Sequence, residues 1–165
     1  MVIGTMITVI GWSMLNAAGS GAHSLNSFQA RYNAEIGFLN TFLSASASGL
    51  ISFVLKRHVT REHKKTPRYD IRSLCNGFLS GVAAVAAGSG AMRPWGALIV
   101  GAIQAFCYMI TCLILKKVKF DDTLENYAVY GSAGFWSMIA SAFFLPYEGI
   151  FWSGERSGDI LGIQL

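Results

Sequence analysis

The chain has 165 residues, of which 53% are hydrophobic and only 13% are charged, and its formal net charge is +4. Soluble domains carry about 25% charged residues, so this composition excludes an ordinary soluble domain. The net positive charge does not indicate a nucleic-acid binder either, because the basic residues are clustered between long uncharged windows.

Five windows contain no Asp, Glu, Lys or Arg, and each holds at least 20 residues: 1–30, 36–55, 73–92, 94–115 and 126–147. About 20 apolar residues are enough to cross a bilayer as an α-helix. We therefore predict an all-α membrane protein with a single domain of five transmembrane helices. The predicted spans lie at about 2–19, 34–55, 73–91, 94–115 and 123–145, with Ser73 as the N-cap of the third.

The charges between the spans predict the orientation. Ten of the 13 Lys and Arg residues fall within 56–72 and 116–119, and five spans place both segments on one side of the membrane. By the positive-inside rule, the loops 56–72 and 116–122 and the N-terminus are then cytoplasmic, or on the matrix side of a mitochondrion. The tail 146–165 is predicted to lie outside. The mitochondrial inner membrane is one candidate compartment, with the plasma membrane as the alternative.

The residue pattern favours no enzyme, cofactor or metal site. His58 and His63 are five residues apart among basic residues, and the three cysteines lack metal-ligand spacing, so the cysteines are expected to pack as small apolar side chains. Asp121 and Asp122 precede the fifth span, where carboxylates suit a helix N-terminus and are expected to cap it. Nucleic acid is not an expected partner, since basic loops beside a membrane normally face anionic headgroups.

Small and polar residues inside the spans predict where helices pack. The amides of Asn16 and Asn40 are expected to find partners in the bundle, because an unpaired amide in hydrocarbon is costly. Small residues four positions apart allow close helix contact, and the small-residue faces of spans two and three are expected to dock on neighbouring helices or lipid. The predicted packing positions are Asn16, Asn40, Ser44, Ser48, Gly77, Gly81, Gly131 and Gly134.

An ordered set of motifs resembles the ammonium transporter / methylammonium permease / Rhesus family over essentially the whole chain. The first span is similar to the family's sixth helix, with its GW-x-x-F-N-A-G-S string, and the fifth span is similar to its tenth. The residues that carry the resemblance are Gly11-Trp12 with Leu15-Asn16, Asn40-Thr41, Cys75-Asn76-Gly77, Pro94-Trp95, Phe120-Asp121-Asp122 and Val129-Tyr130-Gly131.

The resemblance implies one inverted repeat, helices six to ten, of a fold in which two five-helix halves line a pore in each subunit of a trimer. It places the first half outside this sequence. It also implies two pore histidines, one in each half, and phenylalanines that gate the outer mouth. Tyr130 stands at the histidine position of this half, and Leu15 stands at the phenylalanine position of the signature string.

These two departures shape the functional hypotheses. A phenol, with a pKa of about 10, can hydrogen-bond but does not readily exchange protons near neutral pH. We expect Tyr130 to bond a carbonyl of a neighbouring helix, and the alternative is a pore residue that hydrogen-bonds a small polar solute. We expect Leu15 to be a packing side chain, and the alternative is a remnant of the gate. The leading interpretation is a transport-inactive structural or accessory subunit of a larger complex, with other transmembrane subunits and lipids as partners. The alternatives are half of a split ammonium or ammonia channel, completed by a companion chain resembling the first half, and a lipid-binding or membrane-shaping scaffold.

Overall fold

The computed structural model describes residues 1–22, 26–59 and 70–145. These residues form five α-helices and one π-helical segment, and no strand occurs among them, which confirms the five-helix all-α prediction. The elements are α1 (Val2–Ala22), α2 (Ser27–Val59), α3 (Ile71–Ala84), α4 (Pro94–Val118), the π-helical segment Tyr127–Gly131 and α5 (Ser132–Phe144). The predicted tail 146–165 and residues 60–69 of the basic loop lie outside the described residues.

Within those ranges, α1, α2 and α4 are long and apolar enough to cross a membrane. The second helix has 33 residues and begins before the predicted position 34. Its first turns are polar and are stabilised by two hydrogen bonds. The Asn26 carboxamide oxygen accepts a hydrogen bond from the Phe28 N–H at 3.3 Å, and the Gln29 amide donates to the Asn33 amide oxygen at 2.9 Å. Pairs four residues apart stabilise a helix that has little apolar character.

The third helix departs from the predicted span 73–91 at both ends. It begins at Ile71, because the Asp70 carboxylate accepts the Arg72 N–H at 3.0 Å and takes the N-cap role expected of Ser73. It ends at Ala84, and residues 85–91, here called the unwound segment, form turns. Their short-range hydrogen bonds include Gly88 N–H to Val85 O at 3.2 Å. Glycine costs a helix about 1 kcal/mol relative to alanine, so the two glycines of this segment favour the break.

The centre of the bundle is α2, which contacts α1, α3 and α4. The Ser44 hydroxyl donates to the Gly81 carbonyl of α3 at 2.7 Å. A Cβ added at Gly81 would lie 2.6 Å from the Ser44 carbonyl oxygen, and a Cβ at Gly101 of α4 would overlap the Ser44 backbone. Three helix backbones therefore meet at one serine.

The small-residue faces of α2 and α3 pack on each other along their length. Ser48 and Ser80 share a hydrogen bond at 3.1 Å, and a Cβ at Gly77 would lie 2.7 Å from the Ser52 Cβ. These faces were expected to dock on neighbouring helices or lipid, and among the described residues the neighbouring helix belongs to the same chain. The predicted positions Ser44, Ser48, Gly77 and Gly81 all lie in this interface.

In contrast, α1 is peripheral. It buries one narrow stripe, formed by Thr5, Val9, Ser13 and Asn16, and leaves most of its apolar side chains exposed. No described atom of a neighbour would lie within 4 Å of a Cβ at Gly4, Gly11, Gly19 or, on α5, Gly134. We call the exposed side of α1 and the Gly134 side of α5 the open face.

Candidate functional site

Tyr130 lies in the π-helical segment and stacks on Trp12 of α1. The two ring centroids are 5.5 Å apart, and the planes are inclined by only 7°. The Tyr130 side chain is half-buried, and its hydroxyl makes no hydrogen bond to any residue in the described ranges. The expectation that the hydroxyl bonds a carbonyl of a neighbouring helix is therefore not met within the described residues.

The turn before the π-helical segment supplies the carboxylate that caps the start of this segment. The Asp122 carboxylate accepts the N–H groups of Asn126 and Tyr127, both at 2.9 Å, which confirms the capping role predicted for this residue. Asp121 is exposed and makes no such bond. Glu125 has a φ of 57°, a left-handed conformation that is uncommon outside glycine. Single-turn π-helices of this kind occur frequently at functional sites.

Glu125 is held by side chains from three helices, and we call this set the Glu125 hub. The Tyr108 hydroxyl and the Asn76 amide both donate to Oε2, the latter at 3.0 Å. The Lys56 ammonium lies 3.5 Å from Oε1, and both ionic side chains are largely shielded from solvent. The hub connects α2, α3 and α4 to the turn before the π-helical segment. It lies toward the end of the bundle that also carries Lys116, which we call the basic end.

Two further hydrogen bonds connect α4 to α5 above the hub. The Trp136 indole N–H donates to Val100 O at 3.1 Å, and one turn further along α4 the Gln104 amide donates to the Ser132 hydroxyl at 2.9 Å. Gln104 is fully buried. Such interhelical bonds are the polar contacts that stabilise helix pairs in membranes.

The predicted amides each tie two elements together. Asn16 donates to the Thr41 hydroxyl at 3.1 Å and to Val82 O at 3.4 Å. Asn40 donates to the carbonyls of Ser89 and Met92 at 2.7 and 2.6 Å, and so fastens the unwound segment to α2.

A cavity of about 300 Å³ opens at the end opposite the hub, between α1 and the unwound segment. The polar residues Asn16, Ser20, Asn33 and Ser89 line it together with the other residues of 86–91. Leu15 also lines it and is 65% exposed, so it does not pack as expected. The reason is its position on α1, which is away from the narrow buried stripe.

Gly131 and Gly134 also differ from the packing prediction. Both are exposed, and the neighbour of a Cβ at Gly131 would be the Tyr127 ring of the same helix, at 3.4 Å. No helix of the described part packs on them, so their contact with another chain or with lipid stays a prediction.

The sequence reasoning missed the hub. The sequence did contain one indication, which is the position of two charges. Glu125 immediately precedes one uncharged window, and Lys56 immediately follows another, on the same predicted side of the membrane. Across residues 1–22, 26–59 and 70–145, no three His, Cys, Asp or Glu side chains are grouped to hold a metal ion.

The fold has clear counterparts among solved structures. The crystal structure of Saccharomyces cerevisiae Mep2 superposes with a TM-score of 0.76 at 20% sequence identity, over 99% of this chain and 38% of that one. The crystal structure of Candida albicans Mep2 gives a TM-score of 0.80 at 16% identity, over 99% and 36% of the two chains. The architecture is thus that of a polytopic α-helical membrane protein of the Mep2 fold.

Sequence comparison identifies the family. The model of the Ammonium Transporter Family matches residues 1–162, and the chain belongs to this family. Ammonium transporter 1 of Schizosaccharomyces pombe is 30% identical over 145 residues, which are 87% of this chain and 26% of that protein. Ammonium transporter 1 member 1 of Arabidopsis thaliana is 26% identical over 184 residues, covering 100% of this chain and 35% of the relative. The chain therefore spans about a quarter to a third of the relatives it matches.

Proposed function

We propose that this ammonium-transporter-like membrane protein does not conduct ammonium itself and serves as a structural or accessory subunit of a larger membrane complex. The observation that carries the proposal is the Tyr130 ring stacked on Trp12, at the position where the family resemblance implies a pore histidine. A phenol has a pKa of about 10 and so stays protonated near neutral pH, whereas an imidazole exchanges protons there.

The open face supports docking by other transmembrane subunits. The small-residue faces of α2 and α3 are already occupied by each other, whereas Gly4, Gly11 and Gly134 would meet no neighbour even with a Cβ added. Small residues let a partner helix approach closely, and this close packing is one source of helix association in lipid. The proposed partners are therefore transmembrane helices on this face, with lipids around the remainder.

The proposed orientation has the basic end and the N-terminus on the cytoplasmic or matrix side, because Lys56 and Lys116 lie together at that end. The mitochondrial inner membrane is the proposed compartment, with the plasma membrane as the alternative. A membrane-impermeant maleimide should label Lys119→Cys only from that side, and labelling from the other side would contradict the orientation.

A second candidate function is half of a split ammonium or ammonia channel. The observation that favours it is the cavity of about 300 Å³ beside Leu15, which opens on the surface of the bundle. In inverted-repeat transporters the path lies between two halves, so such a surface would act as one wall of a pore. A companion chain resembling the family's first half would supply the other wall.

Reconstitution into liposomes distinguishes the two functions. The chain is purified in mild detergent with whatever accompanies it, its partners are identified, and ammonia entry is followed by the internal pH, with a full-length ammonium transporter as the positive control. The accessory function predicts entry no faster than into protein-free liposomes, with or without Tyr130→Phe. Fast entry that Tyr130→Phe slows would overturn it in favour of the split channel.

A further inference from the structure

Ser132 makes the hydrogen bonds of two different helical registers. Its backbone N–H donates to Tyr127 O, five residues back, which is the bond of a π-helix. Its hydroxyl donates to Ala128 O, four residues back, at 2.6 Å, and this is the carbonyl that the Ser132 N–H would bind in an α-helix. A bond to the fifth residue back encloses one residue more than a bond to the fourth. The π-helical segment therefore holds one surplus residue.

A buried side chain of α4 holds the Ser132 hydroxyl in this position. The Gln104 amide donates to the hydroxyl at 2.9 Å, and Gln104 is fully buried. The second polar atom of the carboxamide, Oε1, has no hydrogen-bond partner within the described ranges. A buried acceptor without a partner is unfavourable. The Gln104–Ser132 bond thus fixes the π register but leaves one acceptor unpaired, which lowers the stability of this register.

The other end of the segment is strained and is held by the hub. Glu125 has a φ of 57°, a left-handed conformation that is unfavourable for a residue other than glycine. The conformation persists because side chains of α2, α3 and α4 bind the Glu125 carboxylate. The turn before it, residues 120–125, is not helical, and it begins after Lys119, which is also left-handed. Such a turn can accept one more residue at little cost in loop entropy.

If the surplus residue moved into this turn, the chain before Ser132 would shift by one position along the helix. Successive residues of an α-helix lie about 100° apart around the axis, since 3.6 residues complete a turn. With α5 fixed, Ala128 would take the place of Tyr127, and Asn126 would take the place of Glu125. Ala128 is 1% exposed and Tyr127 is 60% exposed, so the shift turns a buried residue outward. Glu125 cannot follow the shift while its carboxylate stays bound in the hub.

We propose that the start of α5 is a switch between two helical registers, controlled from the basic end. The π register is the state of the intact hub. When the Glu125 carboxylate leaves the hub, the turn takes up the surplus residue and the segment becomes α-helical. The switch thereby transmits a change at one carboxylate to the helix that bears Tyr130, whose ring stacks on Trp12. It requires neither a pore nor a partner chain.

Cysteine labelling measures the register. Ala128→Cys and Val129→Cys are prepared separately, and maleimide labelling in mild detergent is followed on the tryptic peptide after Lys119, which contains no native cysteine. Both cysteines should label slowly, because both positions are buried. Adding Ser132→Ala removes the hydroxyl that satisfies the Ala128 carbonyl in the π register, and should accelerate labelling at position 128 about tenfold. Labelling at position 129 should stay slow, because this residue moves to the buried place of Ala128.

Two further variants test the control by the hub. Glu125→Gln removes the negative charge that Lys56 binds and should accelerate labelling at position 128 about tenfold. Asp121→Asn removes a carboxylate of the same turn that lies outside the hub, and should leave the rate unchanged. Deletion of Asn126 takes out the surplus residue and leaves Glu125 in place. The shortened chain should label rapidly at position 128 and unfold at the temperature of the wild type.

Four outcomes would overturn the proposal. Equal acceleration at positions 128 and 129 would mean local unfolding in place of a register shift. Unchanged labelling at position 128 in Ser132→Ala would show that the segment has no second register. Acceleration in Ser132→Ala without any in Glu125→Gln would disprove control by the hub. Unfolding of the chain that lacks Asn126 would show that the fold requires the surplus residue.

Discussion

The Tyr108 hydroxyl donates a hydrogen bond to the Glu125 carboxylate, which links the fully buried interior of α4 to the turn before α5. Asn76 of α3 and Lys56 of α2 bind the same carboxylate. A single acidic side chain thus connects three helices to the turn that leads into the π-helical segment and α5. Because removing one member of such a set leaves the others buried and unpaired, we expect the hub to behave as a unit.

Replacing Glu125 should destabilise the bundle. Glu125→Ala leaves the Lys56 ammonium and the Tyr108 hydroxyl without their shared acceptor, at an expected cost of roughly 3 kcal/mol. Thermal unfolding in mild detergent, followed by near-UV circular dichroism, measures the loss. Asp121→Ala removes an exposed carboxylate and is the matched control. Equal unfolding temperatures for the two variants would contradict the role of the hub.

The contact between α2 and α3 should not tolerate a methyl group. A Cβ at Gly81 would lie 2.6 Å from the Ser44 carbonyl oxygen, so Gly81→Ala should push the helices apart and cost about 1–3 kcal/mol. The same substitution at Gly134, where nothing described lies within 4 Å, should leave the unfolding temperature of the isolated chain unchanged. The prediction fails if Gly81→Ala is as stable as Gly134→Ala.

Asn40 should control the order of the unwound segment. Asn40→Leu keeps the size of the side chain but removes both donors, so the carbonyls of Ser89 and Met92 lose partners at about 1 kcal/mol each. Backbone hydrogen exchange in residues 85–91 should accelerate by about tenfold or more. Asn33→Ala, at the rim of the same cavity, is the control and should leave that exchange unchanged. Unaltered exchange in Asn40→Leu would show that other contacts hold the segment.

The Trp12–Tyr130 stack should be visible in tryptophan fluorescence. Tyr130→Ala exposes the face of Trp12, which should increase quenching by brominated lipid chains, whereas Tyr130→Phe preserves the stack and should match the wild type. The difference in quenching between Tyr130→Ala and the wild type should disappear when Trp12 is also replaced by Phe. That result would assign the change in fluorescence to the Trp12 indole. A comparable change in Tyr130→Phe would indicate that the hydroxyl, rather than the ring, holds the pair.

The sequence was sufficient for the number of α-helices, although not for the π-helical segment Tyr127–Gly131. A membrane imposes a strict rule: backbone groups in hydrocarbon must pair within the chain, so long uncharged windows become helices. It was insufficient where tertiary contacts decide. The unwound segment that follows α3 is held by Asn40, which lies 49 residues from its acceptor Ser89. Whether Leu15 is packed or exposed depends on the rotation of α1 about its axis, and apolar residues all around that helix do not determine the rotation.

The same limit applies to the hub and to the small-residue faces. Lys56 and Glu125 are recognisable as charges that border apolar windows, but nothing in their spacing shows that they meet. The small residues around Ser44 indicate that another helix packs closely there, but they do not identify that helix. In the structure it is α3 of the same chain.

The unwound segment determines which sides of the bundle can face lipid. Its Ala87 N–H donates to the Ser137 hydroxyl of α5 at 3.0 Å, and Asn40 of α2 satisfies its Ser89 carbonyl. Non-helical backbone at membrane depth is tolerated only where protein or water surrounds it. Ala86, Ala87 and Ala91 of this segment are exposed beside the cavity, so in a membrane that cavity must hold water or be covered by a neighbouring subunit. A neighbouring subunit can approach from the outer sides of α1, α4 and α5, but it cannot replace any helix that encloses this backbone.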